Sequence, residues 1–515
     1  MIDAASSGRM LHHLSNLWCR IGEPHRRAIA AAFVVGIFAY FIFIAHHLLD
    51  NHAFRMPWLG VDEQVQHGRW LGPWVGRLTY GANIPVVMQL FSIGLALAAT
   101  HFIISTWKLF ERFGDLFLIY TFILIIPYNL ANFYYSFMTP LFYVSWVFAA
   151  AAFSLVDRLS IWRVGLSAVA VVMMMASYQP ALSILAVLTL SGVIVGVLKS
   201  EGNGERITDI NTLVAEGKLL LARGVAIVLG GGAYLASTRY LPDSSKVVHF
   251  ESISAVYERL VYVTSAAVRH LYITQPDILI ATKVALSMVL VGAVVASLFV
   301  VRRSPIKMAV LLVVWPLCVI GSKALFLVSE PGNIYQYRYN GGIIFLYGFS
   351  AAILLYVFPR KFMNWIVTSI IVFSIILFFQ ADLVRQLVLL RGQERDLSTM
   401  NRILYRVESL PEFDSDTVYD FIRVGNLPRY RIQLLGSSGR RWDEVGDGHM
   451  DYGEITDLWT DHTVLGLLGS TIRVLPRGGQ TAIEIREEGL LDDRQVWPHA
   501  SSVFIDEDRI IVFIR

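Results

Sequence analysis

The chain is poor in charge and in cysteine. Only 16% of its 515 residues are Asp, Glu, Lys or Arg, while 55% are hydrophobic and the mean hydropathy is +0.55. A soluble globular domain carries about 25% charged residues, so the deficit excludes that class and leaves a polytopic membrane protein. Its two cysteines, Cys19 and Cys318, build no disulfide framework and indicate no redox compartment. There is no Walker loop, no GxGxxG after a strand, no HExxH and no CxxC. A nucleotide-driven pump and a zinc hydrolase therefore lose their usual signatures, and the histidines lack ligand spacing for a metal. The net charge of +3, spread thinly, gives no basic face for nucleic acid. A cleavable signal is missing as well, because the first apolar run, 28–49, is longer than a signal core and reads as a membrane span.

What the chain has is apolar length. A span needs about 20 apolar residues, and eleven candidates follow in order: 28–49, 86–105, 116–130, 138–156, 164–177, 181–198, 219–241, 279–301, 308–328, 342–358 and 365–382. The third to sixth are short, which predicts tilted helices or closely joined pairs meeting in shallow turns at Tyr128–Phe137 and Tyr178-Gln179-Pro180. With the N-terminus placed in the cytoplasm, seventeen Lys and Arg fall in inner segments and seven in outer ones. That bias sets the orientation. The expected division is a cytoplasmic amphipathic segment 1–27, a transmembrane domain 28–383 with outer loops 51–85, 242–277 and 329–341, and an extracytoplasmic α+β domain 384–515. In that last domain the β-like runs are 418–424, 431–435, 472–475, 482–485, 503–505 and 510–514, the final two joined by an Asp506-Glu507-Asp508 hairpin.

The first outer loop concentrates polar chemistry. Asp62 and Glu63 stand near Arg69, Trp70, Trp74 and Arg77. On a helix Asp62, Gln66 and Arg69 share a stripe. A carboxylate kept ionised by a guanidinium can take a proton from a sugar hydroxyl; a solvated loop pair is the plainer reading. Asn132 and Gln179 offer amides suited to sugar hydroxyls, among aromatics such as Tyr135 that also fit an interfacial belt. Lys323 lies in an apolar run, where a cation is costly and a functional candidate unless it snorkels to the surface. Tyr337-Arg338-Tyr339 can clamp a phosphate through the guanidinium fork, or merely anchor the chain at the interface. Arg239 and Lys283 are weaker candidates of the same kind. Gly230-Gly231-Gly232 reads as close helix packing.

The acidic pair followed by Gly68-Arg69-Trp70, Asn132-Phe133-Tyr134-Tyr135, Tyr178-Gln179-Pro180, Arg338 and the terminal 497–514 segment resembles the Gtr-type glucosyltransferases of bacterial O-antigen modification. These are polytopic enzymes related in plan to the GT-C glycosyltransferases. The resemblance implies transfer of a hexose, glucose first, from a polyprenyl-phosphate sugar to a lipid-linked or surface glycan such as O-antigen, on the outer side of the cytoplasmic membrane; one base and one displacement then give inversion. By it, Asp62 and Glu63 share the roles of base and positioning group without a choice between them. The family's outer-loop arginine matches Arg338. Read from the residues themselves, Lys323, Arg69 and Tyr337 are expected beside it at the donor phosphate, and Gln66, Trp70, Asn132, Tyr135 and Gln179 at the sugars. Partners are then the lipid donor, the glycan acceptor and membrane lipid. No metal site is expected, and a divalent cation stays open. The rival readings are a lipid or solute transporter and a polymerase or ligase of lipid-linked glycans.

Overall fold

A computed structural model describes residues 18–46, 48, 65, 68–77, 85–134, 138–202, 209–240, 253–272, 280–327, 339–358, 361–425, 465, 468, 473–474 and 482–514. Its first part is helical: α1 Glu23–Ala39, α2 Phe41–Ala45, α3 Gly72–Arg77, α4 Pro85–Trp107, α5 Phe113–Ile125, α6 Leu130–Tyr134, α7 Thr139–Leu155 and α8 Ile161–Ser177. There follow α9 Ala181–Gly202, α10 Asp209–Thr238, α11 Ile253–Tyr272, α12 Ile280–Val300, α13 Pro305–Gly321, α14 Gly341–Val357 and the 48-residue α15 Lys361–Glu408. Helix is the natural form for such apolar runs, because it satisfies every backbone group within the segment.

Among the described residues five helices are long and apolar enough to cross a membrane, or six if the bent pair Phe113–Ile125 and Pro127–Tyr134 counts as one span. Four shorter apolar helices, α7, α8, α13 and α14, pack among them. This is the build of a multi-pass membrane protein. Two runs expected to be continuous are broken. The first divides at Tyr40 into α1 and α2, and the third bends by 46° at Ile126 ahead of Pro127. Proline supplies no N–H and clashes with the preceding turn, so the break falls where the sequence places it.

The centre of the bundle is α14, buried from Gly341 to Leu355 and packed on α9, α12 and α5. Glycines set its closest approaches: a Cβ on Gly348 would lie 2.4 Å from Ile123, and one on Gly342 2.6 Å from the Ser322 carbonyl. The glycine triplet of α10 behaves unevenly. Gly230 presses on the Ala168 carbonyl, whereas Gly231 and Gly232 face open space. Cys19 and Cys318 are both free.

At about 1.5 Å per residue α15 runs for about 72 Å, more than twice a hydrocarbon core of about 30 Å. Its far half carries the terminal domain. Four strands, β1 Val418–Val424, β2 Arg473–Val474, β3 Val503–Asp506 and β4 Arg509–Phe513, form a sheet in the order β2-β1-β4-β3. β1 runs parallel to β2 and β4, while β3 and β4 make an antiparallel hairpin turning at Glu507 (φ 56°). Met400, Ile403 and Val407 of α15 cover one sheet face with Tyr419, Ile510 and Val512, and Ile485 closes the other with Ile422, Val424 and Ile511. One expected strand is a helix instead: 482–485 lies in α16, Ala482–Glu487. Ala, Glu and Arg are good helix formers, and Gly489 at φ +72° ends it in the left-handed conformation. The 431–435 run and the 1–17 part of the amphipathic segment lie outside the described residues.

Candidate functional site

The polar side chains of the bundle gather at the end where α8 stops and α9 starts. The turn before α3 begins with Gly68 at φ +74°, and a Cβ there would meet the Tyr234 hydroxyl at 2.5 Å. Only glycine takes both the left-handed backbone and the contact without strain. The turn is pinned by the Leu71 N–H donating to the Ala176 carbonyl at 3.1 Å. Arg69 Nε then donates to Gln179 Oε1 at 3.4 Å, with its guanidinium 4.8 Å from the Tyr178 ring centroid. Gln179 Nε2 donates to the Tyr234 hydroxyl at 2.8 Å, and Trp70 Nε1 donates to Ser237 Oγ at 3.3 Å. Three residues nominated from the sequence, Arg69, Trp70 and Gln179, are thus brought together on α10. Tyr234 and Ser237, which join them, carried no signal beyond being polar groups in an apolar run.

Asn132 belongs to a different structure. Its Nδ2 donates to Asn129 Oδ1 at 3.0 Å, which also accepts from the Tyr143 hydroxyl at 2.7 Å. Asn129 Nδ2 and the Tyr40 hydroxyl both donate to the Leu124 carbonyl, at 2.7 and 2.6 Å. That carbonyl is one the bend at Ile126 sets free, so the network repairs a broken helix within the apolar bundle. Asn132 is 2% exposed. Its Nδ2 is spent on the fold, and its Oδ1 is buried with no hydrogen bond among the described residues. Nearby, Asp382 of α15 is fully buried beside the Arg385 charge, and neither carboxylate oxygen has a hydrogen-bond partner among the described residues.

Lys323 does not sit inside a spanning helix. α13 ends at Gly321, and Ser322-Lys323 form a turn leading into the 3-10 segment Ala324–Leu327. The lysine does not snorkel either: it is fully buried, and its Nζ donates to Asn340 Oδ1 at 2.5 Å. Asn340 is the N-cap of α14, so the ammonium lies at the positive end of that helix dipole. Lys283 Nζ donates to the His270 carbonyl at 2.7 Å, and the His270 ring rests 5.3 Å from Tyr128. Lys323 and Lys283 both act electrostatically on His270. Two ammonium groups, an imidazole and a helix N-terminus are therefore concentrated within an apolar bundle.

The two groups share a support. The Leu325 N–H donates to Ser183 Oγ at 2.9 Å, four residues after Gln179 at the start of α9. Such a concentration of positive potential stabilises an anion, as helix N-termini do in phosphate sites, and apolar helices beside it suit an anion carried on a lipid. Lys283 was a weak expectation, and Asn340 and His270 none at all. The available signal was an ionisable side chain in an apolar run. Asp62, Glu63, Gln66, Tyr135, Tyr337 and Arg338 lie outside the described residues. No group of three or more metal-ligating side chains occurs among the described residues. Comparison with protein-family models, with characterised proteins and with solved structures finds no match.

Proposed function

We propose that the chain is an integral membrane glycosyltransferase of eleven spans that moves a hexose from a polyprenyl-phosphate donor to a glycan acceptor. In this reading the end of the bundle bearing Arg69 and Lys323 faces the extracytoplasmic side, the N-terminus is cytoplasmic and the terminal domain is extracytoplasmic. The observation that carries the reading is the gathering of Lys323, Lys283, His270 and the start of α14 beside apolar helices. A lipid-borne phosphate needs both surroundings at once. Arg338 and Tyr337, two and three residues before Asn340 in the chain, are the further residues this reading assigns to the phosphate.

The reaction needs no redox partner. The acceptor oxygen attacks the anomeric carbon, and the bond from that carbon to the phosphate oxygen breaks. Polyprenyl phosphate leaves with the electron pair, and the acceptor proton passes to Asp62 or Glu63. Cations placed where the phosphate charge develops lower the barrier, and one displacement inverts the anomeric centre. Trp70, Gln179 and Gln66 hold sugars at the Arg69 end. The test is incubation of purified protein with polyprenyl-phosphate hexoses and an oligosaccharide acceptor, followed by mass spectrometry. Hexose addition that disappears in Asp62→Asn or Glu63→Gln is the expected result. Addition undiminished in both variants overturns the assignment.

A second reading, a coupled transporter, draws on one observation: Asp382 is a fully buried carboxylate whose oxygens accept no hydrogen bond among the described residues. Intramembrane carboxylates of that kind carry protons in transporters. Proton-driven solute uptake into liposomes that Asp382→Asn abolishes would favour it over the enzyme.

A further inference from the structure

The far half of α15 has two faces. Met400, Ile403, Leu404 and Val407 enter the core of the terminal domain. On the other face Glu394, Ser398, Asn401, Arg402 and Tyr405 line an open groove of about 690 Å³ floored by Trp497. Arg402 and Arg406, one helical turn apart, each hold their guanidinium carbon 5.3 Å from the Trp497 ring centroid. Arg406 Nη1 is further fixed by donating to the carbonyls of Pro498 (3.0 Å) and His499 (2.8 Å). Glu394 is paired with Arg391 at 2.7 Å. The two arginines therefore give the groove a net positive character. Tyr405 stands 75% exposed beside them.

We infer that this groove binds an anionic glycan, the acceptor strand of the proposed transfer. An exposed aromatic face accepts the C–H face of a sugar ring. The Asn401 amide and the Ser398 hydroxyl match ring hydroxyls, and two guanidinium groups held against Trp497 match a carboxylate or phosphate substituent. A stacked, hydrogen-bonded arginine is already ordered and loses little entropy on binding. Lipid phosphate is not the occupant. Tyr405 follows Leu390, the last residue of α15 packed on the bundle core, by about 22 Å of helix, whereas the headgroup layer is only about 5–8 Å deep on each side. The role as acceptor site rests on the glycosyltransferase reading; binding of an acidic glycan does not.

The test is calorimetric titration of the purified full-length protein with hexagalacturonate, neutral maltohexaose and an acidic phosphopeptide. Hexagalacturonate is expected to bind about tenfold or more tightly than maltohexaose. Arg402→Gln is expected to weaken it by about tenfold and Tyr405→Ala by about fivefold, with the thermal midpoint unchanged because both side chains are exposed. Equal affinity in wild type and variants overturns the inference, as does a phosphopeptide that binds as tightly as the oligosaccharide. Binding without hexose transfer by the wild-type protein keeps the groove and removes the glycosyltransferase reading. Transfer without binding does the reverse.

Discussion

The neutral network around Asn129 and the cationic group around Lys323 are equally buried, and adjacent residues link them: Asn129 centres the first, while Tyr128 packs on His270 in the second. Their chemistry is opposite. Around Asn129, amides, phenols and a freed carbonyl bond to one another, as a fold requires of polar groups in an apolar bundle. Around Lys323, two ammonium groups and an imidazole share a low-dielectric interior, where each charge needs a dipole or counter-charge. The first cluster is explained by the helix break it repairs. The second gathers positive groups beside a helix N-terminus, which is where an anion is stabilised.

Substitutions can separate the two. The largest effect is expected from Lys323→Met, which removes the charge and its bond to Asn340 and keeps much of the volume. Hexose transfer should fall by about 10²–10³-fold, in the range found when one stabilising donor is deleted from a transition state. The lost bond should lower stability by only about 1–3 kcal/mol. If activity survives, the cationic group is structural like its neighbour. Asn129→Ala is the converse. It removes three hydrogen bonds, each worth about 0.6 kcal/mol inside a membrane, so denaturation in detergent should show a loss of about 2 kcal/mol while transfer per folded molecule holds.

Gly68→Ala comes next. It forces a left-handed backbone on alanine and drives a Cβ against Tyr234, at a cost of about 1–3 kcal/mol. Because the turn carries Arg69 and Trp70, donor KM should rise more than kcat falls. The smallest effect is expected for Trp70→Phe, which gives up one bond to Ser237, about 0.6 kcal/mol, visible as a shift of about one or two degrees in the melting curve.

Much of this architecture was legible because hydropathy reports directly on burial in a bilayer. Helices lie along each apolar run, and 418–424 is β1 to the residue. Composition could not place the breaks. The run through 308–328 hides the end of α13 at Gly321 and so misplaces Lys323 by one turn of structure. At 482–485 alternating apolar residues imitate a strand, but the burial of Ile485 on one side of the sheet and the stop at Gly489 make a short helix. Single residues of the site were legible by type, as with Gln179 and Lys323, but their grouping was legible only between chain neighbours such as Arg69 and Trp70. His270, Lys283, Lys323 and Asn340 come from four separate segments, and their convergence is a property of packing.

The central claim is that the cationic group beside α14 holds the phosphate of a lipid-linked donor. Its most direct measurement is the affinity of the purified protein for polyprenyl phosphate against polyprenol, which has the same tail and no charge. The account expects the phosphate to bind about 100-fold more tightly, with the preference lost in Lys323→Met. Equal binding of the two lipids, or a preference that survives that substitution, would contradict it.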